Sequence, residues 1–385
     1  MSDWRVPGFT STASKRPEAL FGSPARMTRA SGARVWDDAG REYVDYIMAL
    51  GAVALGYGHP AVNRAAEAAI AAGVVGPLPP VAEAELAEAL AERIPWLERM
   101  RFLKTGAEAV AAAVRLARVA TGRDRVLGCG YHGWLDWCQG ATEGVPAATR
   151  ALFAELPFND VAGGRELIRQ RGTTLAAVVI EPVIVSEPTR EWLEMLRLET
   201  QRVGAVLIFD EIKTAFRLAV GGAVERYGVD PPPDLVVIGK ALANGFPLAA
   251  VGGRADLMSG TSRTWISSTL ATEGVALAAA RATLEVFTSE DVCGHLHRVG
   301  TVLLHGLHEL QRRHPAVITG VAGIAEMCFL HYATEELSHR VAQDAAGHGV
   351  LFKRTAYNFV SLAHDEHVVH ETLDVLNRAL GAVAG

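Results

Sequence analysis

Cysteine is scarce in this chain: four in 385 residues (Cys129, Cys138, Cys293 and Cys328), no two of them in a C-x-x-C pair. That excludes a disulfide framework and predicts buried free thiols in a reducing cytoplasm. No run approaches the roughly 18–20 consecutive apolar residues of a membrane span. Residues 1–23 carry Pro, Ser, Thr and charges in place of the apolar core of a secretory signal. Basic charge is not in excess either. The 37 Lys and Arg face 43 Asp and Glu, a net charge of −6, which argues against a nucleic-acid binder but leaves room for a local anion pocket. Repeats and low-complexity tracts are absent. What the chain does have is length and apolar content, half of its residues, enough for a large core divided over about two domains.

The middle third is the most legible. Residues 175–180 (LAAVVI), 205–209 (AVLIF) and 235–238 (LVVI) are short, continuous apolar runs with helix-like segments between them, such as residues 191–202. Such alternation predicts parallel strands buried on both faces. Each run ends near a polar residue, Glu181, Asp210 and Lys240, and ligands of open α/β sheets lie beyond the carboxyl ends of the strands. Elsewhere the pattern predicts a hairpin over residues 34–46 and helices within 60–94 (broken near 76–80), 276–287, 292–313 and 368–383. Short strands are expected near 325–330 and 358–362. The expected domains are an N-terminal segment, 1–48, packing with the small domain; a large domain, 49–287; and a small domain, 288–385.

Three constellations bear on chemistry. Residues 104–118 (KTGAEAVAAAVRLAR) place Thr105 three residues before Glu108, a capping box, with Gly106 able to bring the backbone close to an anion at the helix N-terminus. An ordinary capped helix is the plainer interpretation. Residues 128–133 (GCGYHG) match G-x-G-x-x-G, yet the following WLDWCQGATE is a poor helix opening for a dinucleotide site. The aromatics Tyr131, His132, Trp134 and Trp137 suit a wall against a planar ring, or simply a core. Asp210 and Lys240 form either a salt bridge or a pyridine-nitrogen partner and an amine nucleophile. His364, His367 and His370, with His305 and His308, have helical spacing but no completing ligands, so solvated helix faces are expected and no metal.

Taken together these residues resemble the class III pyridoxal-phosphate aminotransferases of fold type I, the glutamate-1-semialdehyde aminomutase-like branch in particular. The resemblance rests on ALGAVALGYGHP (49–60), TGAEA (105–109), YHGWLDW (131–137), Glu181-Pro-Val, IFDEIKTAFR (208–217), GKALANGFP (239–247) and SSTLATEGVALAAA (267–280), all in the family's order. It implies a mostly parallel seven-stranded sheet flanked by helices in the large domain and a smaller α/β C-terminal domain. It also implies a homodimer with shared active sites, pyridoxal 5′-phosphate as cofactor, and small-molecule amine and carbonyl substrates.

Position by position, the resemblance implies that Lys240 carries the cofactor and shuttles the proton, and that Asp210 pairs with the ring nitrogen. Tyr131 and Ile212 would face the two sides of the ring. Thr105, Gly106, Ala107, His132 and Glu181 fall in the cofactor site, with Gly106 and Ala107 offering amides to the phosphate. Thr269 would reach that phosphate from the neighbouring subunit. Ala107, Ala215, Leu135 and Glu273-Gly274 depart from the residues frequent in relatives. Trp134 and Arg354 are the candidate substrate contacts. The implied reaction is amino transfer in two half-reactions, with an aminomutase or epimerase as the alternative within the cofactor class and a non-catalytic homologue outside it.

Overall fold

The computed structural model describes residues 5–22, 25–139 and 143–384. They form two compact units, Ala61–Glu290 and a second composed of Met1–Pro60 with Asp291–Gly385.

The Ala61–Glu290 unit is built on one seven-stranded sheet. Its strands are β1 (Arg99–Leu103), β2 (Arg125–Cys129), β3 (Phe153–Glu155), β4 (Leu175–Ile180), β5 (Val206–Asp210), β6 (Leu235–Ile238) and β7 (Ala249–Gly253). They lie in the order β1-β7-β6-β5-β4-β2-β3. Only β7 runs against its neighbours β1 and β6, so the sheet is mostly parallel. The apolar runs have no polar alternation because both faces are covered. Ala177, Val179, Val206, Ile208, Leu235 and Val237 pack with Val110, Val114 and Leu116 of helix α1 (Gly106–Thr121). Val178, Ile180, Leu207 and Phe209 pack with Trp192, Leu193 and Leu196 of α2 (Arg190–Val203). Period-two strands thus divide one continuous apolar run between two cores.

Register brings the strand ends level. Cys129 pairs with Ile180, Ile180 with Phe209, and Asp210 with Val237. The residues that leave β2, β4, β5 and β6 therefore emerge side by side. The sequence pattern missed β1 and β7, since Arg alternates through one and Gly ends the other.

In the other unit, strands Met27–Ser31, Arg34–Asp37 and Glu42–Asp45 form an antiparallel sheet. Val350–Leu351 joins it in parallel and stitches the two ends of the chain into one body. A second sheet contains Ile318–Ile324, Met327–Tyr332 and Asn358–Phe359. Helices Val292–Arg313, Glu335–Gly347 and Glu366–Ala384 complete the unit.

The expectation of solvated histidines fails at His364, which precedes the last helix and is fully buried. Its Nδ1 accepts from the Ser361 amide at 3.0 Å, so the ring is neutral with its proton on Nε2. Burial pulls its pKa down to about 4 from 6.5. A buried base that titrates low leaves the unfolded chain binding the extra proton, so its stabilising effect is complete above pH 6.5 and lost as pH falls towards 4. The loss should be about 3 kcal/mol. Urea denaturation at several pH values checks this: the same slope in a His364→Gln variant would show that another group carries it.

Candidate active site

The carboxyl ends of five strands supply the candidate residues: Thr105 follows β1, Tyr131 follows β2, Glu181 follows β4, Asp210 ends β5, and Lys240 follows β6. Thr105 caps α1 as expected. Its hydroxyl accepts from the Glu108 amide, and Glu108 Oε2 accepts from the Thr105 amide at 2.9 Å and from the Lys104 amide at 3.2 Å. The threonine oxygen is thereby engaged by the helix itself. The amides of Gly106 and Ala107, in the first turn, have no intrahelical acceptor and point the positive end of the α1 dipole outward.

Two close approaches shape this end. A Cβ on Gly106 would run into Ile212 Cδ1, so the isoleucine after Asp210 lies directly against the first turn of α1. A Cβ on Gly133 would lie 2.5 Å from Ala107 Cβ, and Gly133 has φ +99°. The loop after β2 is thus seated on the α1 N-terminus, where an alanine suits the contact better than a larger side chain.

That loop carries the aromatic wall. Tyr131 is 69% exposed, while its amide donates to Glu181 Oε2 at 2.9 Å. His132 is buried, stacked on Trp137, with Nδ1 2.8 Å from Asp210 Oδ2. Its Nε2 is buried without a partner. Asp210 also accepts from the Ile212 amide at 3.2 Å. One carboxylate is therefore held from two sides, by the His132 ring and the Ile212 amide. No helix follows the G-x-G-x-x-G glycines over residues 131–139, which removes the dinucleotide interpretation; residues 140–142 of that stretch lie outside the described residues.

Lys240 lies three residues past Val237, the partner of Asp210 across β5 and β6. It adopts φ +46°, a left-handed conformation that costs a non-glycine residue energy and is concentrated at functional positions. Desolvation pulls its pKa below the ordinary lysine value; Glu181 and Asp210 oppose the shift, and Lys213 and Arg217 add to it. The amine is thus biased towards its neutral, nucleophilic form.

The remaining candidates are Trp134, Thr269 and Arg354. Trp134 is 70% exposed beside the aromatic loop. Thr269 is exposed on the segment leading into α3 (Gly274–Ser289) and makes no hydrogen bond to the residues above. Arg354 belongs to the other unit. Its Nη1 and Nη2 are engaged by Ser338 Oγ at 3.1 Å, the Glu18 carbonyl at 2.5 Å and Glu335 at 3.6 Å, while Nε is buried without a hydrogen-bond partner.

Two pairs escaped the sequence pattern. Lys213 and Glu181 form a buried ion pair of 3.0 Å, and Lys104 meets Glu273, the N-cap of α3, at 2.7 Å. Among the described residues no cluster of His, Cys, Asp and Glu could hold a metal.

The sequence model of the class III aminotransferases matches residues 19–380. The chain belongs to this family. Class III aminotransferases use pyridoxal phosphate. Among curated relatives, the glutamate-1-semialdehyde 2,1-aminomutase of Nitrosomonas europaea is 33% identical, the match covering 98% of this chain and 94% of that protein. Among solved structures, an omega-transaminase from Sphaerobacter thermophilus superposes with TM-score 0.90 at 28% identity, covering 99% of this chain and 95% of the other. The FumI protein of Sphingopyxis sp. MTA144, in its PLP internal aldimine form, gives TM-score 0.88 at 28% identity over 93% and 88% of the two chains. In this aminotransferase Gly133 combines a close approach to Ala107 with a backbone conformation that L side chains rarely adopt. Gly133→Ala is expected to cost about 1–3 kcal/mol from steric overlap and strained φ, measured by chemical denaturation. A loss below about 0.5 kcal/mol would show that the loop is not seated on Ala107.

Proposed function

We propose that this class III aminotransferase moves an amino group from a small-molecule amine donor to a carbonyl acceptor in two half-reactions, with Lys240 as its catalytic amine. The observation that carries the reading is the adjacency of a buried, braced Asp210 at the end of β5 and a desolvated Lys240 just past the end of β6. Pyridoxal phosphate, when bound, supplies an aldehyde able to carry an amino group and a ring that takes up electron density.

The residues present fit that group. Gly106 and Ala107 amides, with the α1 dipole, suit its phosphate, and the glycines at 106 and 133 keep the space that a Cβ would fill. Asp210, positioned by His132 and the Ile212 amide, holds a proton on the ring nitrogen. Tyr131 and Ile212 would flank the ring. Thr105 serves through the cap, and Glu181 by anchoring the Tyr131 amide. Lys240, biased to its neutral form, binds the aldehyde and then takes and returns the proton at the substrate carbon.

A homodimer with Thr269 lent by the neighbouring copy completes the reading. It is supported by the exposed apolar side chains Leu78, Val81, Trp265 and Leu270 on the Ala61–Glu290 unit. The free thiols support a cytoplasmic setting. Trp134 beside the ring wall favours an apolar or cyclic substrate.

The second reading, an aminomutase or epimerase using the same lysine, is favoured by the 33% identity to the aminomutase of Nitrosomonas europaea. It predicts solvent deuterium uptake without net amino transfer.

The test is a panel of amine donors added to the purified protein, read by the spectral change of the bound cofactor. Lys240→Ala should abolish the change, and Asp210→Asn should slow it by on the order of 10²–10³-fold, the typical loss of a preorganised electrostatic partner. A wild-type protein that responds to no donor and exchanges no substrate proton would overturn both readings.

A further inference from the structure

Glu181 lies under the influence of two lysines. Its Oε1 meets Lys213 Nζ at 3.0 Å, and its Oε2 accepts the Tyr131 amide at 2.9 Å. Behind that amide, Gly130 at φ +104° keeps the approach open, since a Cβ there would stand 2.6 Å from Oε2. Lys213 is 7% exposed and rides on the segment following β5. Glu211 fixes the course of that segment. This buried carboxylate accepts from the Thr214 hydroxyl, the Ala223 amide at 2.9 Å and the Val224 amide at 3.0 Å.

The charged groups acting on Lys240 are two anions, Glu181 and Asp210, and two cations, Lys213 and Arg217. Each anion already has a partner that is not Lys240. Asp210 has His132 at 2.8 Å, and Glu181 has Lys213. Among the described residues no carboxylate forms a salt bridge with Lys240.

We propose that Lys213 is a positioning residue: its ion pair holds Glu181 against the Tyr131 loop and keeps that carboxylate from capturing Lys240. The inference rests on the reading of Lys240 as the amine that meets the cofactor aldehyde. Its physical basis is that a buried carboxylate deprived of one cation pairs with the next. A lysine so paired stays an ammonium, with no lone pair to offer an aldehyde. Removing Lys213 also removes a positive neighbour that favours neutral Lys240, so both effects act in the same direction. Glu181 and Lys213 stand 32 positions apart on successive strand ends, which is why neither marks the other in the sequence.

The test uses the full chain stripped of cofactor. Pyridoxal phosphate is added across a pH series, bound label is fixed with borohydride, and peptide mapping reads the labelling rate at Lys240. Lys213→Met should raise the pH midpoint by about one unit, slowing labelling about tenfold near neutrality, while Lys213→Arg keeps the wild-type midpoint. Glu181→Gln alone should lower the midpoint, a change that mere loss of packing does not produce. The double variant Glu181→Gln/Lys213→Met should return close to wild type, and it supplies the comparison if Lys213→Met alone fails to fold. An unmoved midpoint in both single variants overturns the proposal, as does a folded double variant as slow as Lys213→Met. Wild-type protein that takes no label at Lys240 overturns the proposed function, and this inference with it.

Discussion

Hydrogen-bond pairing between β5 and β6 decides where chemistry can occur in this protein. With Asp210 opposite Val237, a carboxylate at the end of β5 lies beside the strand that leads, three residues on, to the amine of Lys240. The pairings of Cys129 with Ile180 and Ile180 with Phe209 bring Tyr131 and Glu181 to the same level. Because side chains alternate along a strand, a slip of one residue would turn Asp210 to the opposite face. The two apolar cores that sandwich the sheet hold that register, so the packing of α1 and α2 is a condition for the site as well as for stability.

Gathering charge at the end of a buried sheet is costly, and the structure offsets the cost by pairing. Asp210 is held by His132, Glu181 by Lys213, and Glu273 by Lys104. Single buried pairs contribute little net stability against well-packed apolar residues, but breaking one leaves a charge without compensation. Their value lies in direction: each carboxylate is aimed by its partner, and none of these carboxylates forms a salt bridge with Lys240. The strained φ of Lys240 belongs to the same economy, since the surrounding packing enforces a conformation the residue would not adopt alone.

The departures from residues frequent in relatives acquire physical sense at this site. Ala107 lies under Gly133, where a larger side chain would displace the loop. Glu273 caps α3, accepting from the Val275 and Ala276 amides, while bonding Lys104 at the entry to α1. That pair links the residue before the N-cap of α1 to the N-cap of α3, which follows the segment bearing Thr269. For the substitution at Ala215 the structure offers no explanation.

Much of the fold was legible because local pattern and burial coincide. The runs 175–180, 205–209 and 235–238 became β4, β5 and β6, and the capping box opened α1 as its residues suggest. Strands β1, β7 and Ile318–Ile324 were not, since Arg alternation and glycine hide strands whose partners are remote. Arg354, a candidate substrate contact in the sequence, has terminal guanidinium nitrogens that meet Ser338, Glu18 and Glu335, contacts the sequence does not reveal. Composition and periodicity by themselves determined the buried parallel strands, and the resemblance carried by the order of the motifs supplied the family and the proposal of Lys240 and Asp210 as site residues, because these depend on residue type and near-neighbour spacing. The partners of His132, Glu181 and Lys104, and the bias of Lys240 towards its neutral form, were decided only by the tertiary structure. Electrostatic pairing and desolvation depend on distances between segments that the linear order does not contain.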